Sequence, residues 1–443
     1  MAVLLDNISH RLKINNKNIQ VLINKDKCLD YNVYIFPGKV KYGDEAFVFT
    51  VNVPNGDLDF FIPLNGYSIL NTQNASYNWI INWGDGITET KSGVSSSATT
   101  NWIQHNYLTS GIYKIVIKPV VNNYQWMKAW GFTTGTTGNA NIATNKNKII
   151  SFDYVTNKGF MQFNTSYGNY YLGYLAVGTK ITYPINEIQT VSEDNITNIN
   201  SSFRNSQYYN CSNLIIPAIE VLPNSVTSIS DSFRNSQYYD CTNLTTTTPE
   251  VLPNSVTSVG DNFRNYQYYS CINISTPAIE VLPNSVTSIS NNFRHSQYLS
   301  CVKLTITTPE VFPNSITSIG NSFRYWQYMS CSNLTTSAVE VLPDNITTIG
   351  NSFRYGQYQI CNNLLISNHV HIRMNEILNS GTNNYYNMFR YITTKSDVDT
   401  IPNYKDASGN IYPITNLTPA VRKYYCTNRI GIDGYDSLHE NWK

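Results

Sequence analysis

Pro223-Asn-Ser-Val-Thr-Ser-Ile-Ser-Asp-Ser-Phe233-Arg-Asn-Ser-Gln-Tyr-Tyr-Asp-Cys241-Thr-Asn-Leu244 is one copy of a unit that returns every 30 residues. Its core, Phe-Arg-x-x-Gln-Tyr-x-x-Cys, starts at Phe203, Phe233, Phe263, Phe293, Phe323 and Phe353. A fixed period of this length means a stacked architecture, because one short unit cannot bury its own apolar face and neighbours must do it. A weaker 60-residue alternation overlies it: Thr-Thr-Pro-Glu closes the unit at Glu250 and Glu310, and Ala-Ile/Val-Glu closes it at Glu220, Glu280 and Glu340. Growth by duplication of pairs accounts for both periods.

Comparison of the copies shows what each place tolerates. Counting each Phe as zero, positions 0, 1, 4, 5 and 8 are identical, and positions 2, 3, 6 and 7 vary. At 100° per residue the two sets fall on opposite sides of a helix. The expectation is therefore a short helix over Ser202 to Cys211 and its equivalents, started by caps such as Asp231 and Asn291. The β-branched, alternating segment Val226 to Ile229 and the Thr-rich stretch after Leu244 read as short strands. Strands stack about 4.8 Å apart and helices about 8–10 Å, so such a stack is expected to curve with helices outside.

The pattern Pro-Asn-Ser-Val-Thr-Ser-Ile/Val-Gly/Ser-x-x-Phe…Cys-x-Asn-Leu, as in Pro253 to Ile274 or Pro313 to Leu334, resembles the BspA-type leucine-rich repeats of bacterial surface proteins. It differs by a longer Phe-to-Cys interval and a longer Thr-rich segment. The resemblance spans roughly 170 residues and implies a repeat fold with a binding surface. Upstream, Trp79-Ile-Ile-Asn-Trp-Gly-Asp-Gly86, His105-Asn-Tyr107 and Gly111-Ile-Tyr-Lys-Ile-Val-Ile117 are similar to the PKD type of immunoglobulin-like sandwich. The physics agrees, since Ile112 to Ile117 is β-branched and aromatic and Gly84-Asp85-Gly86 suits a tight turn. Ile-Asn-Trp replaces the usual Trp-Asp-Phe, which weakens any transfer of site residues. Asp85 reads as a turn former, with cation binding as the alternative.

The expected fold is mainly β with short helices: an N-terminal immunoglobulin-like β-sandwich followed by a curved leucine-rich-repeat solenoid. Residues 1–42 form an attachment segment, 43–122 the PKD-like sandwich, 123–193 a connector and N-terminal cap, 194–364 six repeats, and 365–443 a C-terminal cap.

Stacking turns each identical residue into a row. Arg204, Arg234, Arg264, Arg294, Arg324 and Arg354 would line up as like charges, and Glu220, Glu250, Glu280, Glu310 and Glu340 recur once per unit to balance them. Between residues 201 and 360 there are seven basic and nine acidic side chains, 7 − 9 = −2, so a structural Arg–Glu ladder is favoured over an Arg stripe that captures anions. Arg and Tyr, four apart, are also placed to stack on a helix. Cys211, Cys241, Cys271, Cys301, Cys331 and Cys361 read as small buried hydrophobes, and neither CxxC nor zinc spacing occurs. Cys28 and Cys426 stand alone.

The variable face is the candidate binding site. In the later copies it carries Tyr266, His295, Leu299, Tyr325, Trp326, Met329 and Tyr355, residue types that protein and sugar contacts favour; the alternative is packing under the C-terminal cap. The Thr-rich strands, Thr245 to Thr248 and Thr305 to Thr308, offer a second, polar surface.

A net charge of +1 with 13% charged residues argues against a nucleic-acid partner, and 13% aromatics argue against disorder. The expectation is no enzyme, cofactor or metal: HExxH, Walker and GxSxG motifs are missing, and His369 and His371 would share a strand face without a third ligand. The apolar run Ala2 to Leu5 is too short for a secretory signal if Met1 is the native start, and no stretch approaches a membrane span. The sequence therefore points to a recognition protein for a cell-surface glycan or protein. A virion or phage-like particle is the first expectation for its location, with other virion or tail subunits as neighbours. A bacterial surface adhesin and a structural subunit that forms homo-oligomers are the alternatives.

Overall fold

The computed structural model describes residues 46–64, 76–94, 102–121, 145–155, 178–184 and, apart from gaps in the links between repeats, 203–364. It also describes a few isolated positions between these and short strands at 4–5, 11–14, 17–20, 372–373, 404–405 and 411–412. The chain divides into two units, Met1–Glu45 and Ala46–Lys443. In the first, Leu4–Leu5, Arg11–Ile14 and Lys17–Gln20 form a three-stranded antiparallel sheet.

The second unit opens with a five-stranded antiparallel sheet. Its order is Ile149–Val155, Phe47–Val53, Gly111–Pro119, Ser76–Asn82, Thr88–Val94, so the segment after residue 122 supplies an edge strand. Asp59–Ile62 pairs with Ile103–Asn106 in a separate two-stranded sheet. Alternation places Phe47, Phe49, Val51, Trp79, Ile81, Ile115 and Ile117 in one core with Phe60, Ile62 and Ile103 of the smaller sheet. Asn145 closes one edge by accepting from the Phe61 N–H (3.1 Å) and donating to its carbonyl (3.0 Å). Lys148, 4% exposed, reaches Asp57 at 2.6 Å.

From Asn198 onward the repeats stack in parallel register. Ser228–Ile229 pairs with Asn198–Ile199 and Ser258–Val259, Ser288–Ile289 with Ser318–Ile319, and the Thr246 strand position bridges Thr276. A second parallel row, Glu250–Val251, Glu280–Val281, Glu310–Val311 and Glu340–Val341, runs beside it. The architecture is a repeat solenoid built almost wholly from strands and turns.

The expected helices are not there. From Phe to Cys the chain is a ribbon of overlapping turns in which every fourth residue is left-handed, as at Asn262 (φ 57°), Tyr266 (φ 54°) and Ser270 (φ 55°). Alternate amides point to the next coil: those of Arg264, Tyr266, Tyr268 and Ser270 donate to Phe293, His295, Gln297 and Leu299 at 2.9 Å. The amides between them close turns on their own coil, Gln267 to Arg264 (3.2 Å), Tyr269 to Tyr266 (3.2 Å) and Cys271 to Tyr268 (3.1 Å). From Arg264 to Cys271 each N–H is thus satisfied without i→i−4 bonds. A period of four sorts positions 0, 1, 4, 5 and 8 from 2, 3, 6 and 7 as cleanly as 3.6 does over nine residues. The donors decide between them, because a neighbouring coil offers partners that an isolated helix lacks. Asp231 and Asn291 are not helix caps either: Asp231 accepts from the Asp261 N–H (2.8 Å) and Asn291 from the Asn321 N–H (2.8 Å), one coil on. With ribbon and strands both at hydrogen-bonding distance, the reason for expecting curvature falls away.

The ribbon splits the interior in two. Val256, Val259, Phe263 and their equivalents form one apolar cluster. Tyr268, Cys271, Ile274 and theirs form another, continuous with the core of the N-terminal sheets. The Arg and Gln rows come between Phe and Tyr along the chain. Residues 176 and 178–182 continue the stack on the N-terminal side. The Ala176 and Gly178 amides donate to Gln207 (3.0 Å) and Tyr209 (2.7 Å), Gly178 is left-handed (φ 67°), and Thr179 stands where later coils carry Cys.

Candidate aromatic binding face

The invariant columns have internal roles. Phe233 to Phe353 and Tyr208 to Tyr358 stack ring on ring, neighbouring centroids lying 5.0–5.9 Å and 5.2–5.7 Å apart. The Gln side chains form an amide ladder, each Nε2 donating to the preceding Oε1, as from Gln237 to Gln207 at 3.0 Å and Gln357 to Gln327 at 3.2 Å. The Arg side chains are 0–2% exposed, each guanidinium over a Phe ring, as in Arg234 over Phe233 at 5.2 Å and Arg324 over Phe353 at 5.8 Å. That contact with Phe takes the place of the stacking on Tyr that a helix would have set up. Backbone register aligns Glu250, Glu280, Glu310 and Glu340 in a row; Glu220 lies outside the described residues.

Each Cys from Cys241 onward donates its thiol to the Tyr carbonyl of the preceding coil, Cys271 to Tyr238 at 2.9 Å for example, and Cys211 does so to Ala176. All six are free thiols at 0% exposure, and burial pushes the Cys211 thiol up to about 11. These thiols are held in the un-ionised, unreactive form at neutral pH.

What varies between copies gathers on the outward side of the ribbon. Position 6 is Tyr in the first three coils, and Tyr209, Tyr239 and Tyr269 stack with centroids 4.6 and 4.4 Å apart. Position 2 is Asn in those coils and aromatic afterwards: His295 stacks on Tyr325 (4.7 Å) and Tyr325 on Tyr355 (4.5 Å). Tyr266, at position 3, joins the columns, edge-on to Tyr269 (5.9 Å) and to His295 (5.3 Å). The result is one unbroken path of ring contacts that crosses all six coils diagonally.

Trp326 lies against this path, 4.7 Å from Tyr325 and tilted 58° to it. It occupies a left-handed position (φ 52°), as Tyr266 does, where other coils place Ser or Gly. Bulky side chains are uncommon there because Cβ meets the backbone. Gly356 makes room one coil on: a Cβ there would come within 2.6 Å of the Trp326 ring. The indole N–H is buried without a hydrogen-bond acceptor. Burial draws His295 down to about 4, so the path carries no imidazolium at neutral pH. Asp240, whose carboxyl burial raises, is the one carboxylate at positions 2, 3, 6 and 7 of the six copies, and no Lys or Arg occurs at them.

Of the residues expected at this face, the structure brings together Tyr266, His295, Tyr325, Trp326 and Tyr355. Leu299 (8% exposed) and half-buried Met329 instead occupy column 6 where the path has left it. Tyr209, Tyr239 and Tyr269 belong to the path but were not among the expected residues. The signal for them was present: position 6 varies, yet is Tyr in three consecutive copies. The Thr surface is tied to the stack, with Thr245 and Thr305 hydroxyls donating to the Ile215 and Ser275 carbonyls at 3.1 and 3.2 Å and Thr307 buried.

In the N-terminal sheets, Asp85 does what a turn former does. Its Oδ1 accepts from the Ile87 N–H (3.0 Å), while Oδ2 meets His105 Nε2 at 2.7 Å. Burial alone would raise its pKa, and the bonds from His105 and Ile87 more than offset this and hold it below the usual range. Trp83 stacks on His105 (4.5 Å) and donates to Glu89 (2.8 Å); Tyr107 donates to the Trp83 carbonyl (2.9 Å). His369 and His371 lie outside the described residues.

Comparison with protein-family models, with curated proteins and with solved structures returned no match, so the face is read from its own residues.

Proposed function

We propose that this chain is a recognition protein that acts by binding, with the outward side of the turn ribbon as its contact surface. The reading is carried by the diagonal aromatic path. It changes from copy to copy while the fold stays constant, and it holds Tyr266 and Trp326 in backbone conformations that Ser and Gly adopt more easily. The invariant polar groups contribute to stacking: amides bridge amides, thiols bond carbonyls and guanidinium groups lie over rings. The leucine-rich-repeat and PKD resemblances support the same reading. Seven strands in two antiparallel sheets and the Trp83–Asp85–His105 network are what an immunoglobulin-like module would place beside a binding solenoid.

The test is binding of the purified full chain to a panel of intact bacterial cells. Binding that falls when Trp326→Ala is introduced is the expected result. Binding that is indifferent to Trp326, or none to any cell, would sink the proposal.

A further inference from the structure

We infer that the ligand of this face is a neutral, extended polysaccharide. The inference rests on the recognition reading above and adds the chemistry of the ligand.

Charge comes first. The face has one carboxylate, Asp240, no Lys or Arg, and a histidine kept neutral by burial. A polyanion such as a sulfated or uronic glycan, a teichoic acid or a nucleic acid is bound through fixed cations. The six arginines that might have supplied them lie inside the solenoid.

Polarity separates a sugar chain from a protein partner. Protein interfaces use Tyr and Trp anchors as sugar sites do, but set them in an apolar core enriched in Met and Arg. Among the described residues of the solenoid, the exposed large apolar side chains are Ile272, Val281 and Val302, and none occupies positions 2, 3, 6 or 7. Apart from Leu299, Met329, Gly356, Ile360 and the Asp240 carboxylate, those positions hold aromatic rings, amides and hydroxyls. Because consecutive rings stack on one another, they present edges and phenolic oxygens outward, and the hydroxyls of Tyr239 and Tyr269, like those of Tyr325 and Tyr355, are hydrogen-bonded to each other. A row of hydroxyls and amides repeating once per coil matches a polymer that is itself a row of hydroxyls. Trp326, tilted out of the stack, is the ring placed to meet a sugar's apolar face.

The experiment is native gel electrophoresis of the full chain through gels containing neutral glucan, mannan or galactan, with alginate and heparin as charged counterparts. The expected result is retardation by at least one neutral polymer and by neither polyanion. The double variant Tyr325→Asn/Trp326→Ser, which writes the Asn235–Ser236 pair of the second coil into the fifth, should weaken retardation at least tenfold. Its thermal midpoint should be unchanged or higher, because that pair already folds in this ribbon. Retardation by polyanions alone, by none of the neutral polymers, or equally in the double variant overturns the inference. Cell binding separates it from the broader reading. Binding that needs Trp326 and is lost when cells are treated with protease but not with periodate overturns the sugar assignment and leaves recognition standing. Cell binding unchanged in the double variant overturns both.

Discussion

The N-terminal sheets and the solenoid are both β structures, yet they hold together by different rules. In the sheets each contact is made once: His105 meets Asp85, Trp83 meets Glu89, Asn145 closes the edge at Phe61. In the solenoid residues meet their own copies, Phe on Phe, Gln on Gln, Glu beside Glu, and the contacts between unlike residues, such as Cys thiol to Tyr carbonyl, recur once per coil. Self-stacking suits rings and amides, which are complementary to themselves, and is costly for charges. Each coil nonetheless carries one buried Arg, and a single substitution in the stack has a row of neighbours to disturb. The sheets confine damage to one contact.

The largest expected effect tests that difference. If the Glu row neutralises the buried Arg row, Glu280→Gln leaves an uncompensated charge inside the stack and lowers stability by about 3 to 5 kcal/mol. Chemical denaturation of the solenoid measures it, and an unchanged midpoint would break the ladder pairing. In the sheets the counterpart is a backbone contact. Gly84 is left-handed (φ 83°), and a Cβ there would lie 2.6 Å from the Lys114 carbonyl oxygen of the neighbouring strand. Gly84→Ala should cost about 3 kcal/mol, from the left-handed penalty and the shift of that strand. It should leave the Tyr ladders of the solenoid intact, which near-ultraviolet circular dichroism reports.

Acid separates the regions in a second way. His295 has its folded pKa depressed from 6.5 to about 4, so within that window the unfolded chain takes up a proton that the folded chain refuses. Its contribution is complete above pH 6.5 and is lost as the pH falls toward 4, by about 3 kcal/mol. His295→Asn, the residue of the first three coils, should abolish this dependence. Asp85 acts in a lower range. Its folded pKa lies below the ordinary carboxyl value of 3.8, so the stability it gives the sheets is present above 3.8 and disappears as the pH falls through the folded value. Acid titration followed separately at the sheets and the solenoid should show two windows, and a single shared transition would refute the assignment to these two groups.

Much of this was legible in the repeat itself. The 30-residue period, the inward side of Phe, Gln and Cys, and the aromatic character of Tyr325 and Trp326 all follow from aligning the chain with itself. The ribbon did not, because its hydrogen-bond partners sit a whole coil away and local periodicity cannot see them. Its signature was nonetheless present, in the Ser, Asn and Asp that recur every fourth residue at Ser232, Ser236 and Asp240, where the backbone turns left-handed. Read as caps and solvent-facing polar residues, they suggested a helix. The same local reading hid half of the aromatic path. Tyr209, Tyr239 and Tyr269 look ordinary within one copy and become a column only when coils are superposed at the ring spacing found here.

The smallest expected effect bears on a further exposed row, distinct from the Thr245 and Thr305 stretch. Thr227, Thr257, Thr317 and Thr347 each donate a hydroxyl to the carbonyl of the equivalent residue one coil before, at distances of 3.1–3.4 Å. These residues are exposed, so water replaces the bond when it is lost, and a β-branched isostere keeps the strand conformation. Thr257→Val should therefore change stability by no more than about 0.5 kcal/mol. It should also leave cell and polysaccharide binding unaltered, since the path of rings lies on the ribbon and the Thr row on the strand. A Thr257→Val variant that kept its thermal midpoint but lost binding would move the contact surface from the one to the other. It would also imply that the copy-to-copy variation along the ribbon has a role other than recognition.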